Sequence, residues 1–224
     1  MISVLCPSRG RASSLRDSAF GIIDRASSRE QVEVLVALDP DDPEEDLAPY
    51  LTQGAGRIRY WTAPERYGYA QIHRYYNHLA AMARGEWLLL WNDDARMLTD
   101  GWDEIIHAQP PGVLFLGVNH GGGGNFFPAW PKAWSDAWGH ASLSPNIDVW
   151  VSEIGARLGR QWRIPVEVLH DRCDITGNHD DDTYAEGRKL LGSYANHPDH
   201  DSPANREARI RDAVTVRKLM EKRA

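Results

Sequence analysis

Short, largely apolar runs that stop abruptly at polar residues dominate the first half of the chain. Ile2 to Cys6 ends in Pro7-Ser8-Arg9-Gly10-Arg11. Val32 to Leu38 runs into Asp39-Pro40-Asp41-Asp42-Pro43, and Glu86 to Trp91 stops at Asn92-Asp93-Asp94. Runs of that length without polar alternation suit strands buried on both faces. Val113 to Val118 (VLFLGV) adds another, and Arg57 to Trp61 (RIRYW), which alternates, reads as one more strand. Between them, Ser13 to Ala26 places Leu15, Ala19, Ile22, Ile23 and Ala26 at helical spacing. Tyr69 to Ala83 does the same with Ile72, Tyr76, Leu79, Ala80 and Ala83, and stops at Arg84-Gly85. The order β-α-β-(α)-β-α-β predicts an α/β fold with a mainly parallel, Rossmann-like sheet flanked by helices.

The second half is less regular. Four glycines follow His120, and Phe126 to His140 is rich in Trp and Pro. Ile147 to Leu158 reads as a helix with Ile147, Val151, Ile154 and Leu158 on one stripe, and Arg163 to His170 (RIPVEVLH) as a late strand. Glu207 to Ala224 reads as a charged helix with a narrow apolar stripe.

Composition narrows the function classes. The chain has 224 residues with 25 Lys and Arg against 32 Asp and Glu, a net charge of -7. That balance disfavours a general polyanion binder such as a DNA-coating protein. The longest apolar stretch, Trp87 to Trp91, is far short of the roughly 20 residues of a transmembrane helix. The start shows neither a basic n-region nor a small-residue cleavage site, so a cytoplasmic chain is expected. Two cysteines, Cys6 and Cys173, make no disulfide framework and no zinc spacing.

In an open parallel sheet, ligands bind beyond the carboxyl ends of the strands. Three predicted strands end there in groups suited to one ligand. Ser8-Arg9-Gly10-Arg11 offers the guanidinium forks of Arg9 and Arg11 and accessible backbone for phosphate or base. Asp39 accepts hydrogen bonds from a base edge or ribose. Asp93 and Asp94 are adjacent carboxylates that repel each other unless a cation intervenes, and hard oxygen donors suit Mg2+ or Mn2+.

These segments together resemble family 2-type glycosyltransferases with the GT-A fold. "ISVLCPSRGR" looks like the first strand and its Pro-Ser-Arg-Gly loop. "VALDPDDP" looks like the second strand with its base-contacting aspartate. "YAQIHRYYNHLAAMARGEWLLLWNDDARMLTDGW" looks like the helix bearing an Asn, the strand ending in Asp-Asp, and the later Gly-Trp. The likeness covers about residues 2 to 118. It implies one domain over 1–205, with a nucleotide-sugar half (1–118), an acceptor half (119–205), and a charged C-terminal helix (206–224).

The resemblance further implies a nucleoside-diphosphate sugar, UDP-linked most often, and a Mn2+ or Mg2+ ion. Pro7, Ser8, Arg9, Arg11, Asp39, Arg66, Tyr67, Asn77 and Asp93 would contact the donor. Asp94 would bind metal, although Asn92-Asp93-Asp94-Ala95 lacks the usual spacing of a DXD motif. A late histidine often completes that metal site in the family, which makes His170 the expected ligand and His179 its alternative. Imidazole among carboxylates favours manganese. An inverting transfer needs a base; Asp148, opening the helix after the acceptor region, fits the family position, with Glu153 less well placed. Trp130, Trp134 and Trp138, on one face if the segment is helical, suggest a core stripe or, as the sharper reading, an acceptor platform. The acceptor would be a protein, a glycan or a modified DNA base. The chain's compactness is similar to that of bacteriophage-encoded members. A nucleotidyltransferase, or a nucleotide-sugar-binding protein with a degenerate site, are the rival readings.

Overall fold

The computed structural model describes residues 1–42, 56–119, 127–171, 176–177, 182–191 and 197–222. Eight strands form one sheet: β1 (Ile2–Pro7), β2 (Val32–Leu38), β3 (Ile58–Thr62), β4 (Trp87–Leu90), β5 (Ala95–Met97), β6 (Val113–Val118), β7 (Pro128–Pro131) and β8 (Gln161–His170). Their order is β3-β2-β1-β4-β7-β6-β8-β5. Among the described residues, seven α-helices pack around it: α1 (Ala12–Asp24), α2 (Ile72–Met82), α3 (Trp102–His107), α4 (Lys132–Trp138), α5 (Ile147–Leu158), α6 (Asp182–Leu191) and α7 (Pro203–Glu221). Among the described residues, no helix is long and apolar enough to cross a membrane.

The apolar strands of the first half pair in parallel as the sequence predicts: β1 lies between β2 and β4, and β2 carries β3 on its outer side. The second half departs from that pattern. β7 runs antiparallel to both β4 and β6, and β5 runs antiparallel to β8, so the sheet is mixed. Alternation along each strand divides the core in two. Ile2, Val4, Val34, Val36 and Leu89 face α1 and α3, whereas Leu5, Leu35, Leu88 and Leu90 face the α2, α5 and α7 side.

The amino-end edge of the sheet is latched by a buried carboxylate. Glu33 accepts hydrogen bonds from Ser3 Oγ (2.6 Å) and the Arg84 backbone N–H (2.7 Å), and Arg59 pairs with it at 3.0 Å. Gly85 lies against this latch, its N–H donating to Ser3 Oγ at 2.8 Å. α7 begins at Pro203, capped by Ser202, and its Asp212 accepts from the indole N–H of Trp150 on α5. Arg209, on a helix read from sequence as charged, is buried, bonded to Glu153 at 2.7 Å with its guanidinium over Trp150.

Candidate active site

β1 is the switch point of the sheet. The chain leaves it toward β2 on one side and toward β4 on the other, which opens a crevice beyond the carboxyl ends. Ser8, Asp39, Asp93 and Asp94 all sit at that end because their strands stop there.

The two adjacent aspartates face different partners. Asp93 accepts from Ser8 Oγ at 2.6 Å and from Arg11 Nη1 at 3.0 Å, so both its oxygens are engaged. Asp94 accepts from the Tyr184 hydroxyl at 2.8 Å through Oδ2. Its other oxygen, Oδ1, is buried, accepts no hydrogen bond, and lies 3.2 Å from His170 Nε2. The β5–β8 pairing causes this meeting: Ala95 registers with His170, and the Asp171 N–H bonds the Asp94 carbonyl. Burial drives the Asp93 carboxyl up to about 6, and the Asp94 charge adds to the rise against Arg11. Burial also works against Asp94, but His170, Tyr184 and Arg11 outweigh it and hold Asp94 below the ordinary range.

This donor set fits a divalent ion in part. Two ligands of an octahedral ion at about 2.1 Å stand about 3 Å apart at adjacent corners, close to the separation of Asp94 Oδ1 and His170 Nε2. Among the described residues, no group of three His, Cys, Asp or Glu side chains is placed to hold an ion. His179 lies outside the described residues, as do Cys173 and the four-glycine stretch.

The second cluster centres on Asp39, beside Pro7 at the end of β1. Asp39 accepts from the Tyr75 hydroxyl and from Arg9 Nη1 (2.8 Å), with Arg66 Nε 3.8 Å away. Arg9 also forks onto Asp41 at 2.6 and 2.8 Å. Of the two arginines expected at a diphosphate, Arg11 therefore lies at the carboxylate pair and Arg9 at Asp39. Tyr67 closes the same corner, its N–H bonded to Tyr75 Oη and its ring covered by Arg74. α6 crosses from one cluster to the other: Tyr184 reaches Asp94, while Glu186 bonds Arg66 (2.6 Å) and the Tyr69 N–H (3.0 Å). Neither residue stands out in the sequence, because "DDTYAEGRKLL" has no apolar stripe to announce a helix.

Asp148 opens α5 in its first turn, and burial raises its carboxyl to about 6 against the pull of its own helix amides. Burial first, with smaller contributions from the charges of Asp93 and Asp148 among others, pushes the Tyr76 hydroxyl well above its usual range, so one phenol senses both acids. That hydroxyl donates toward the Trp91 carbonyl (3.0 Å) and Asn92 Oδ1 (3.3 Å). Asn92 in turn approaches His170 at 3.1 Å. Tyr76 and Asn92 are thus site residues that strand-end reasoning passes over.

Four expectations are corrected. Asn77 faces the Ala141–Ser142 backbone and makes three hydrogen bonds there, away from the strand ends. Trp130 is 0% and Trp134 2% exposed, so neither presents a face to an acceptor. Trp130 belongs to β7 with its indole N–H on Ser135, and Pro131 breaks the helical spacing assumed for the stripe. Glu153 is committed to Arg209 and lies 3.3 Å from His200.

No family model and no curated protein matches the sequence. Solved structures do match in shape. Residues 1–349 of TarS from S. aureus, in complex with UDP-GlcNAc, superpose with a TM-score of 0.59 at 12% identity, over 84% of this chain and 64% of that one. GalNAc-T7 with UDP, GalNAc and Mn2+ gives 0.62 at 14% identity, over 76% and 43%. The mannosyltransferase PcManGT from Pyrobaculum calidifontis, with GDP-Man and Mn2+, gives 0.61 at 14% identity, over 98% and 75%. The chain thus spans under two thirds of the length of the first two. A mixed, curled eight-stranded sheet with helices on both faces, shared with these proteins, is the GT-A glycosyltransferase fold.

Proposed function

We propose that this chain is a metal-dependent glycosyltransferase that moves a sugar from a nucleoside-diphosphate sugar to an acceptor hydroxyl with inversion. The observation that carries the reading is the convergence, at the strand ends of a GT-A sheet, of Asp39, Arg11 and the Asp94–His170 pair, with Asp148 linked to it through Tyr76, whose hydroxyl bonds Asn92 and senses the charges of both Asp93 and Asp148. The neighbours were solved with UDP-GlcNAc, with UDP, GalNAc and Mn2+, and with GDP-Man and Mn2+, which supports the donor class and a divalent ion.

Each residue then has a task. Asp39, with Tyr75 and Arg9 fixing its orientation, receives the base or ribose. Asp94 and His170 would hold the ion, whose chemistry when bound is to neutralise charge on the departing diphosphate. Arg11, kept at the site by Asp93, adds a second positive charge. Asp148 takes the proton of the acceptor hydroxyl as its oxygen attacks the anomeric carbon; the bond from that carbon to the phosphate oxygen breaks, and the nucleoside diphosphate leaves with the electron pair. A base whose pKa is near 6 is ionised at neutral pH yet basic enough to work. A protein or glycan acceptor agrees with the net charge better than DNA does. A cytoplasmic site of action and a bacteriophage source remain parts of the same reading.

The test is thermal unfolding with UDP and GDP, each with and without Mn2+, on the wild type and Asp94→Ala. Ligands that bind only the native state raise the midpoint. A Mn2+-dependent rise in the wild type that vanishes in Asp94→Ala is expected. An equal rise in both proteins refutes the metal assignment. Binding without turnover of any sugar donor would favour the degenerate-site reading.

A further inference from the structure

α2 carries Tyr76 and Asn77 side by side, about 100° apart around the helix, so they reach two different elements. Tyr76 holds the turn that bears the carboxylates, through the Trp91 carbonyl and Asn92. Asn77 holds the loop that leads to the base. Its Oδ1 accepts the N–H groups of Ala141 (2.7 Å) and Ser142 (3.0 Å), and its Nδ2 donates to the Ser142 carbonyl (2.8 Å). Three of the four hydrogen bonds an asparagine side chain can form are thereby committed to one dipeptide.

From there the bonding continues toward Asp148. The Ser144 N–H donates to Ser142 Oγ (3.0 Å), and Ser144 Oγ pairs with the buried His200 Nδ1 at 2.8 Å. Asn146 Oδ1 accepts the His197 N–H at 2.8 Å. Residues 141–146 are therefore pinned from two sides immediately before α5 begins at Ile147. The only side chain in this set contributed by the strand-and-helix half that carries the carboxylates is Asn77.

We propose that Asn77 is a positioning residue that sets the place of Asp148 relative to the carboxylate turn, and is not a donor contact. The inference rests on the reading of Asp148 as base. A misplacement of about 1 Å costs on the order of a hundredfold in rate without touching the substrate's own binding groups. Loss of Asn77 should therefore appear in kcat and leave nucleotide affinity alone.

The experiment measures hydrolysis of UDP-GlcNAc, UDP-GalNAc and GDP-mannose with Mn2+, water standing in for the acceptor, together with the Kd for the matching nucleoside diphosphate by calorimetry. Asn77→Ala should lower kcat about 10- to 100-fold with Kd changed less than about twofold. Asn77→Asp keeps an acceptor for both amides but sets a carboxylate oxygen against the Ser142 carbonyl in place of the donation, so it too should lower kcat with Kd unchanged. Should Asn77→Ala fail to fold, Asn77→Asp alone decides by the same split. A raised Kd with normal kcat makes Asn77 a donor contact and overturns the inference, as does an unchanged kcat. Asp148→Asn is the control. If it hydrolyses donor like the wild type, or if the wild type hydrolyses none, the base reading falls and this inference with it. If Asp148→Asn is inactive while Asn77→Ala is normal, the inference alone falls.

Discussion

Asp148→Asn should stabilise the protein at alkaline pH while it removes transfer. The carboxyl is raised from 3.8 to about 6 by burial in the folded state. A raised acid binds its proton more tightly when folded, so the sign is fixed. Below the unfolded value both states are protonated and the group costs nothing. Between 3.8 and about 6 the unfolded chain loses its proton first and stability declines. Above about 6 the full penalty is present. The gap corresponds to about 3 kcal/mol at most. Residual solvent contact of this side chain screens it, so about 1–3 kcal/mol is the expected gain for asparagine at pH 8. For a chain of this size each kcal/mol moves Tm by roughly 2–4 °C. Asparagine is neutral at every pH and keeps an oxygen for the first-turn amides. Differential scanning calorimetry of both proteins at pH 4 and pH 8 should therefore show nearly matched Tm values at the lower pH and a rise of roughly 2–12 °C for the variant at the higher. A variant equal to or below the wild type at pH 8 would show that Asp148 is well solvated, and would remove the physical basis for a poised base.

Gly85→Ala should cost about 1–3 kcal/mol. An added Cβ would stand 2.7 Å from the Ser3 backbone nitrogen and 2.8 Å from the Met1 carbonyl oxygen, neither of which belongs to a flexible side chain. Urea unfolding reads this directly, and a change under about 0.5 kcal/mol, the usual range for a neutral surface site, would contradict the close packing of that edge. Glu186→Gln should release Arg66 for a nucleotide. Arg66 and Glu186 are both partly exposed, so their pair is worth about 0.2–1 kcal/mol and UDP affinity should rise by no more than about fivefold. Weakened binding would instead mean that Glu186 itself touches the ligand.

The legible parts of this fold are those whose neighbours lie near in sequence or follow from topology. β1, β2 and β4 announce themselves because burial on both faces leaves them almost wholly apolar, Ser3 and Glu33 being polar but bonded to each other. Their last residues then mark the crevice by geometry alone. β7 is hidden because Pro128 and Pro131 bracket it, and only its place between β4 and β6 makes it a strand. β5 is three residues long with Arg96 exposed at its centre. Roles within the site depend on distant partners. Nothing near Arg9 in the sequence foretells that it turns to Asp39 while Arg11 turns to Asp93. Asn77 likewise lies on the predicted helix, but its partners are more than 60 residues away. The tryptophan stripe misled because a helical period was continued across Pro131, where the chain changes from strand to helix.

α6 holds one end of the crevice through Tyr184 and the other through Glu186. A ligand long enough to engage Asp94 and Arg66 together meets both contacts already made. Its arrival is an exchange of partners, not the filling of a void, and the residues it gains are those that α6 gives up. Affinity at this crevice is then a difference between two competing sets of bonds. Changes in α6 alone, which carries none of the strand-end residues, tune how tightly the crevice holds what it receives.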